Sequence, residues 1–293
     1  MSTDVQATPV VPVAELRDVQ GPSALGGGRR RFYDLLLLIS VTEFKRVYFG
    51  TVLGYLWSLI RPLMLFGVLL FVFTQVFRVG GDKIEHYAVM LLLGIVLYTF
   101  FSEATGNSVT SVVAQEGVVR KTQFPRAVIP LATVVTSAFN LMLNLVIVLI
   151  FILASGVSPA WTWLLFPVAL AVLAILAAGT AMALSALYVR FRDTAIIWVV
   201  VSQMLLYLTP ILYPVNAFES STKEHLLMIN PLAVIFEQVR VWVMHEPRSI
   251  APTAVEAAGG WLGLLPAAAI FFGVIAYGAW FFNREAPRIA EAL

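Results

Sequence analysis

Long apolar runs separated by short polar connections dominate the chain from about residue 50 onward. Six of them approach or exceed the roughly 20 residues that cross a bilayer core: Leu53 to Phe77, Ala88 to Ser108, Val128 to Ala154, Trp161 to Val189, Ala195 to Tyr213 and Leu262 to Phe282. They predict an all-α integral membrane domain over 51–283, followed by a short tail, 284–293. An even number of crossings puts both termini on one side of the membrane.

Three stretches depart from the plain-span pattern. Arg31 to Gly50, RFYDLLLLISVTEFKRVYFG, predicts an interfacial helix over 29–50: Glu43, Lys45 and Arg46 hold it near water while Leu35 to Ile39 sink into the headgroup layer. Five consecutive apolar residues cover every face of a helix, so a long first span with a charged start is the alternative. Pro210 and Pro214 each remove a backbone donor from the end of the fifth run, which must break or kink where protein or water satisfies the freed carbonyls. Pro231 to His245 reads as a short amphipathic helix with Leu232, Ile235, Phe236, Val239 and Val243 on one face. It is too short to cross and predicts a re-entrant or surface helix before the sixth span.

Charge then orients the spans. Arg29, Arg30, Arg31, Lys45 and Arg46 precede the first; Arg120, Lys121 and Arg126 lie in the second connection, Arg190 and Arg192 in the fourth, and Arg284 and Arg288 in the tail. The other side carries only Arg78, Lys83, Lys223, Arg240 and Arg248. By the positive-inside rule both termini are cytoplasmic. Residues 1–28 hold Pro9, Pro12, Pro22 and a triple glycine with no apolar stretch, and read as a disordered cytoplasmic tail.

Composition excludes several classes. With 60% hydrophobic and 12% charged residues and a mean hydropathy of +0.88, the chain does not match a soluble domain, whose charged fraction is about 25%. A net charge of +2 gives no reason to expect nucleic acid. Without cysteine there is no disulfide framework, thiolate metal site or cysteine nucleophile. His86, His225 and His245 lack the close His/Glu spacing of a metal site. No G-x-x-x-x-G-K-[ST] occurs, so ATP hydrolysis is not expected from this chain, nor any bound cofactor.

The connection Glu116 to Arg126 is short, basic and held between two spans, and Phe124-Pro125 gives it an apolar knob and a fixed bend. This predicts a cytoplasmic docking element. Within the spans, Glu103 sits among Ser102, Thr105, Asn107 and Ser108. An intramembrane carboxylate there either lines a cavity or bonds a neighbouring helix, the second being the simpler reading. Arg61 either snorkels to the cytoplasmic interface, again the simpler reading, or pairs with Glu103. Aromatics away from the interfaces, including Phe66, Phe73, Tyr98, Phe101, Trp198 and Tyr207, would suit a pathway for sugar rings, although packing and interfacial belts account for most such residues.

The order of these motifs carries a resemblance. The basic interfacial helix, then Tyr48 to Leu63 (YFGTVLGYLWSLIRPL), then Val119 to Leu131 (VRKTQFPRAVIPL) resembles the permease subunits of ABC-2 type polysaccharide and polyol-phosphate exporters. Val189 to Asp193 (VRFRD) resembles that family's arginine-aspartate loop, and Leu208 to Pro214 (LTPILYP) with Asn230-Pro231-Leu232 its outer-gate region. Arg61 stands where the family more often has asparagine. The resemblance covers about Arg31 to the C-terminus. It implies a half-transporter in a bacterial plasma membrane: two copies form a channel, two copies of a separate ABC ATPase that uses ATP and Mg dock beneath, and a lipid-linked glycan moves outward. Glu116, Arg120, Lys121, Gln123, Phe124 and Arg126 would couple to the ATPase, and Glu43, Lys45 and Arg46 would place the gate helix near the lipid pyrophosphate. Arg61 and Glu103, with Phe66, Phe73, Tyr98, Phe101, Trp198 and Tyr207, would line the channel. Pro210, Tyr213 and Pro214 would form the outer gate.

An ABC-2 exporter of drugs or simple lipids is the nearest rival, since both cargoes need an amphipathic path. A membrane glycosyl or phosphoglycosyl transferase would need clustered aspartates or an Asp/His dyad, whereas Asp34, Asp82 and Asp193 lie far apart in sequence. The resemblance implies O-antigen, teichoic acid or a cell-wall galactan as cargo; the excess of arginine over lysine and the abundant alanine and valine fit a GC-rich coding sequence and point to the galactan.

Overall fold

The computed structural model describes residues 28–48, 56–76, 86–115, 117, 125–215, 221–244 and 252–292, and every regular element among them is helical. In chain order they are α1 (Gly28–Tyr48), α2 (Leu56–Phe71, continued by a π turn over Val72–Val76), α3 (Tyr87–Ala114) and α4 (Val128–Ala154). Then come α5 (Phe166–Arg190, entered through a 3-10 turn at Trp161–Leu165), α6 (Thr194–Leu208), α7 (Ser221–Leu227) and α8 (Pro231–Met244). The chain closes with α9 (Ala254–Ala257), a 3-10 turn at Trp261–Leu264 and α10 (Leu265–Ala292). Among the described residues five stretches are long and apolar enough to cross a membrane: Leu56–Val76, Tyr87–Ala114, Val128–Ala154, Trp161–Arg190 and Trp261–Glu285.

The fifth run differs from its prediction. Instead of helix from Ala195 to Tyr213, α6 ends at Leu208, and at about 1.5 Å per residue it falls short of the roughly 30 Å core. Pro210 has no N–H to continue the ladder, and residues 209–214 run on without regular helix. Helix and extension together still climb most of α3: Trp198 bonds Thr105, Ser202 bonds Ser102, and the Tyr87 hydroxyl donates to the Leu212 carbonyl at 2.8 Å. Together they run along most of α3, the last part without a helix. At the other terminus α10 runs on as helix through 284–292, where the sequence predicts only a tail.

The helix α3 is the centre of the bundle. Of its apolar window 72% is buried, against 11% for the windows of α2 and of α10, which places these two at the periphery. It packs most extensively on α4 and α5, and an all-round apolar surface suits it to that place. Helices α5 and α10 approach closely because Gly179 and Gly278 face each other: a Cβ on Gly179 would lie 2.8 Å from the Ile275 Cα, and one on Gly278 would fall on the Gly179 carbonyl. Small residues let backbones meet where lipid gives no hydrophobic drive for association.

At one end of the bundle α1 lies on the start of α4. Phe32, Leu35, Leu36 and Ile39 pack with Val112, Val128, Ile129, Ala186 and Phe282, Phe44 meets Phe139 edge-on, and Ser40 donates to the Ala132 carbonyl at 3.3 Å. The same end carries Arg192 over Tyr188 and Arg284 over Trp280, aromatic and cationic pairs suited to a membrane interface. At the opposite end Val215, Met228, Ala233, Ala257 and Ala258 form a small separate cluster.

Candidate functional site: a cleft between α2, α3 and α6

A cleft of about 740 Å³ opens between α2, α3 and α6. Arg61, Met64, Leu65 and Val68 come from α2, Tyr98, Ser102 and Glu103 from α3, and Trp198, Ser202, Gln203 and Tyr207 from α6, while Leu212 of the extension contributes to the wall. A second cavity of about 450 Å³ shares Arg61, Met64 and Glu103 and adds Trp57 and Ser58.

Three helices place these side chains by helical spacing. Tyr98, Ser102 and Thr105 follow one another at i, i+4 and i+7 on one face of α3, and all three bond α6. The Tyr98 hydroxyl donates to the Ser202 carbonyl, Ser102 Oγ and Ser202 Oγ are 3.0 Å apart, and Trp198 Nε1 donates to Thr105 Oγ1 at 3.1 Å. This polar ladder fixes α6 against α3. The exposed apolar side chains of α2 and α6, among them Met64, Val68, Ile196, Val200 and Met204, leave the outward faces of those helices uncovered.

The predicted channel residues divide. Arg61, Tyr98, Glu103, Trp198 and Tyr207 line the cleft. Phe66, Phe73 and Phe101 do not: Phe66 meets Phe151 of α4 edge-on, Phe73 packs near Tyr87, and Phe101 is 3% exposed between Tyr98 and Trp198. Tyr98 is itself only 6% exposed, whereas Tyr207 is 56% exposed, so Tyr207 offers its ring to the cleft and Tyr98 chiefly holds the wall. Tyr98→Phe should lower thermal stability by about 1 kcal/mol through the lost hydrogen bond. Tyr207→Ala should leave thermal stability unchanged, since the ring is mostly exposed; a loss of about 1 kcal/mol or more would return that ring to a packing role.

Glu103 and Arg61 share the cleft. The charge of Arg61 acts on Glu103, and the Asn140 side chain from α4 lies within hydrogen-bond reach of the carboxylate. Asn140 Oδ1 is buried and finds no partner among the described residues. It borders a water-sized hole lined also by Thr99, Ser137 and Asn144. Thus Glu103 both faces the cavity and touches a neighbouring helix. Asn140, Ser202 and Gln203 were not among the residues singled out by sequence; an Asn at i and i+4 in α4 (Asn140, Asn144) is the signal that could have drawn attention to the first.

The end of the cleft nearest Leu212 is held by a clamp. Arg240 of α8 donates from Nη2 to the Pro210 carbonyl and from Nη1 to Glu237 Oε2, both at 2.8 Å. Asn230 Nδ2 donates to Thr209 Oγ1 at 2.9 Å. Gly94 of α3 lies against Ile211, where a Cβ would come within 2.9 Å of its side chain. Pro210 is therefore secured by an arginine on another helix, Tyr213 donates its hydroxyl to the Tyr207 carbonyl, and Pro214 follows in the same irregular run. The predicted apolar face of α8 is buried, and so are Glu237 at 0% and Arg240 at 5% exposure. The sequence reading used Arg240 only as a marker of membrane side; its i, i+3 spacing from Glu237 was the available signal.

Of the cytoplasmic candidates, Glu43 and Arg46 pair at 2.8 Å on α1 and Lys45 is exposed. Arg126 lies in the turn that opens α4. Glu116, Arg120, Lys121, Gln123 and Phe124 lie outside the described residues.

Comparison with known proteins places this architecture. The profile of the ABC-2 type transporter family matches residues 34–244, from within α1 to the end of α8, and so takes in the cleft and the clamp. The O-antigen export system permease protein RfbA of Klebsiella pneumoniae is 30% identical over 203 residues, 69% of this chain and 76% of that protein. Its counterpart in Myxococcus xanthus is 27% identical over 243 residues, 82% of this chain and 92% of that protein.

Proposed function

This chain belongs to the ABC-2 type transporter family, and we propose on that premise that it is the membrane-spanning permease subunit of an ATP-driven polysaccharide exporter. The cargo is a lipid-linked glycan carried from the cytoplasmic to the outer face of a bacterial plasma membrane. Both termini are cytoplasmic, in keeping with the basic residues that flank α1, α5 and α10. A separate ABC ATPase supplies the energy, docking beneath the end of the bundle where α1 lies.

The observation that carries this reading is the cleft itself. Its wall alternates polar groups with aromatic and aliphatic ones, a lining that accepts both a sugar chain and the lipid that bears it. It is open along the exposed faces of α2 and α6, so a second copy of the chain meeting the first there closes the cleft into a channel. The clamp on residues 209–213 then acts as the outer gate. The relatives named for O-antigen export favour polysaccharide over a drug or simple lipid as cargo.

Coupling passes through residues 116–126, with Phe124 as the apolar knob and Arg120, Lys121 and Gln123 as polar contacts to the ATPase. In cells that depend on this chain for surface polysaccharide, Phe124→Ala should insert normally and export about tenfold less, the scale of a typical coupling free energy. Surface-glycan blots and co-purification of the ATPase measure the two halves of that statement. Full ATPase binding together with full export in this variant rejects the coupling role, and a null strain with undiminished surface polysaccharide rejects the exporter itself.

A further inference from the structure

We propose that Arg61 is a binding site for the phosphate of a lipid: its guanidinium holds the phosphate in the cleft while the apolar wall of α2 receives the chain. The proposal rests on the reading of this cleft as the transport path. Arg61 is the sixth residue of α2, about 8 Å along the helix from its start. It is exposed, and it lines both cavities, which meet at its side chain.

Its donors are largely unused. A guanidinium carries five N–H groups in a planar fork and no acceptor. Among the described residues Arg61 makes no hydrogen bond or ion pair, and the charge it acts on is that of Glu103. That carboxylate also has Asn140 of α4 beside it, at a separate water-sized hole. A cation in a span without full compensation is costly, so most of its hydrogen-bonding capacity awaits an anion from outside the chain.

The surroundings select the anion. Beside Arg61 the wall is Met64, Leu65 and Val68, aliphatic side chains along which the hydrocarbon chain of a bound lipid can lie. Ser102 and Gln203 add neutral polar groups within the same cleft. Phosphate suits the arginine because its oxygens accept two parallel N–H bonds. A cleft of about 740 Å³ is ample for such a headgroup. A purely internal Arg61–Glu103 pair would be the simpler use of both charges, and the two accounts give Glu103 opposite signs. If a lipid phosphate binds, Glu103 competes with it for the guanidinium and repels it; if the pair is internal, Glu103 is what keeps Arg61 in place.

The test uses the purified full chain in maltoside micelles, titrated with phosphatidic acid or with diacylglycerol, each brominated on its acyl chains. Tryptophan quenching is the readout, since Trp57 and Trp198 border the cavities. Phosphatidic acid should quench more than diacylglycerol. The apparent affinity of phosphatidic acid should fall at least about tenfold in Arg61→Gln, the scale of a lost charge-assisted hydrogen bond. It should fall by less in Arg61→Lys, which keeps the charge but not the fork, and rise in Glu103→Gln. Size-exclusion profiles verify that each variant is folded. Equal quenching by the two lipids, undiminished binding in Arg61→Gln, or weakened binding in Glu103→Gln overturns the site. Export assays then separate the sources of the phosphate: lost binding with lost export identifies the transported lipid, and lost binding with normal export identifies a bilayer phospholipid. Failure of the exporter reading would appear as normal surface polysaccharide in every cleft variant and would leave the lipid titration to be judged by itself.

Discussion

Glu237→Ala is expected to destabilise the protein by about 3–5 kcal/mol, because it strands a buried arginine without its counter-charge. Arg240 is 5% exposed and bonds Glu237 and the Pro210 carbonyl, so no route to water is available to it short of moving α8. Removing Arg240 instead would leave Glu237, at 0% exposure, and the Pro210 carbonyl to be satisfied some other way, and should cost a similar amount. The double variant Glu237→Leu with Arg240→Met is the discriminating one. It removes both charges together and takes the donor from the Pro210 carbonyl, so it should cost about 1–3 kcal/mol and be milder than either single charge deletion. Thermal unfolding in detergent, followed by loss of the monodisperse size-exclusion peak, reads all three. A Glu237→Ala protein as stable as the parent would mean that the pair contributes nothing to holding the outer segment.

The clamp also explains what the sequence does and does not disclose. Apolar run length is a direct consequence of bilayer thickness, so most of the long helices fall close to their predicted bounds; Val128 to Ala154 matches its prediction at both ends. The fifth run fails the same rule because hydropathy does not distinguish helix from extended chain when both are buried. Pro210 marked the break, yet nothing local says that its own carbonyl, with no helix continuing beyond it, would be met by an arginine thirty residues later. The amphipathic face of α8 was legible, since period 3.6 is a local property. The burial of its Glu237 and Arg240 was not, because it depends on α3 and the 209–213 segment arriving from elsewhere.

The aromatic residues illustrate the same boundary. Composition and spacing placed Phe66, Phe73 and Phe101 with Trp198 and Tyr207 as possible path residues, but the choice between facing a cleft and facing a neighbouring helix is made by helix rotation. Phe66 turns toward Phe151, and Phe101 is enclosed by two other rings, whereas Tyr207 looks outward. Glu103 was recognisable as unusual from a single carboxylate in an apolar run. Its cross-helix neighbour Asn140 became visible only in three dimensions. Arg61 lies in a candidate span, where the sequence places it, and borders two cavities that no local pattern announces.

Gly278→Leu should be among the most damaging single substitutions in the spans, and Gly273→Leu on the same helix should be tolerated. The reason lies in what each new side chain would meet. At Gly278 the first added carbon falls on the carbonyl of Gly179, with the Gly179 carbonyl carbon at 2.9 Å; at Gly273 nothing stands within 4 Å. Backbone cannot rotate away as a side chain can, so accommodation at Gly278 requires α5 and α10 to separate, at the upper end of the about 1–3 kcal/mol typical of overpacking or beyond it. Separation would travel further than the contact. Phe282, one turn beyond Gly278, belongs to the cluster that seats Phe32, Leu35 and Leu36 of α1, so the interfacial helix should loosen with it. Even Gly278→Ala should destabilise, whereas Gly273→Ala should be neutral or stabilising by about 0.5–1 kcal/mol, the helix-propensity gain of alanine over glycine. Thermal midpoints of the four variants, with protease sensitivity of α1 as a second readout, test both the size and the sign. Equal losses at 273 and 278 would show that glycine is needed along α10 for some reason other than the close approach to Gly179.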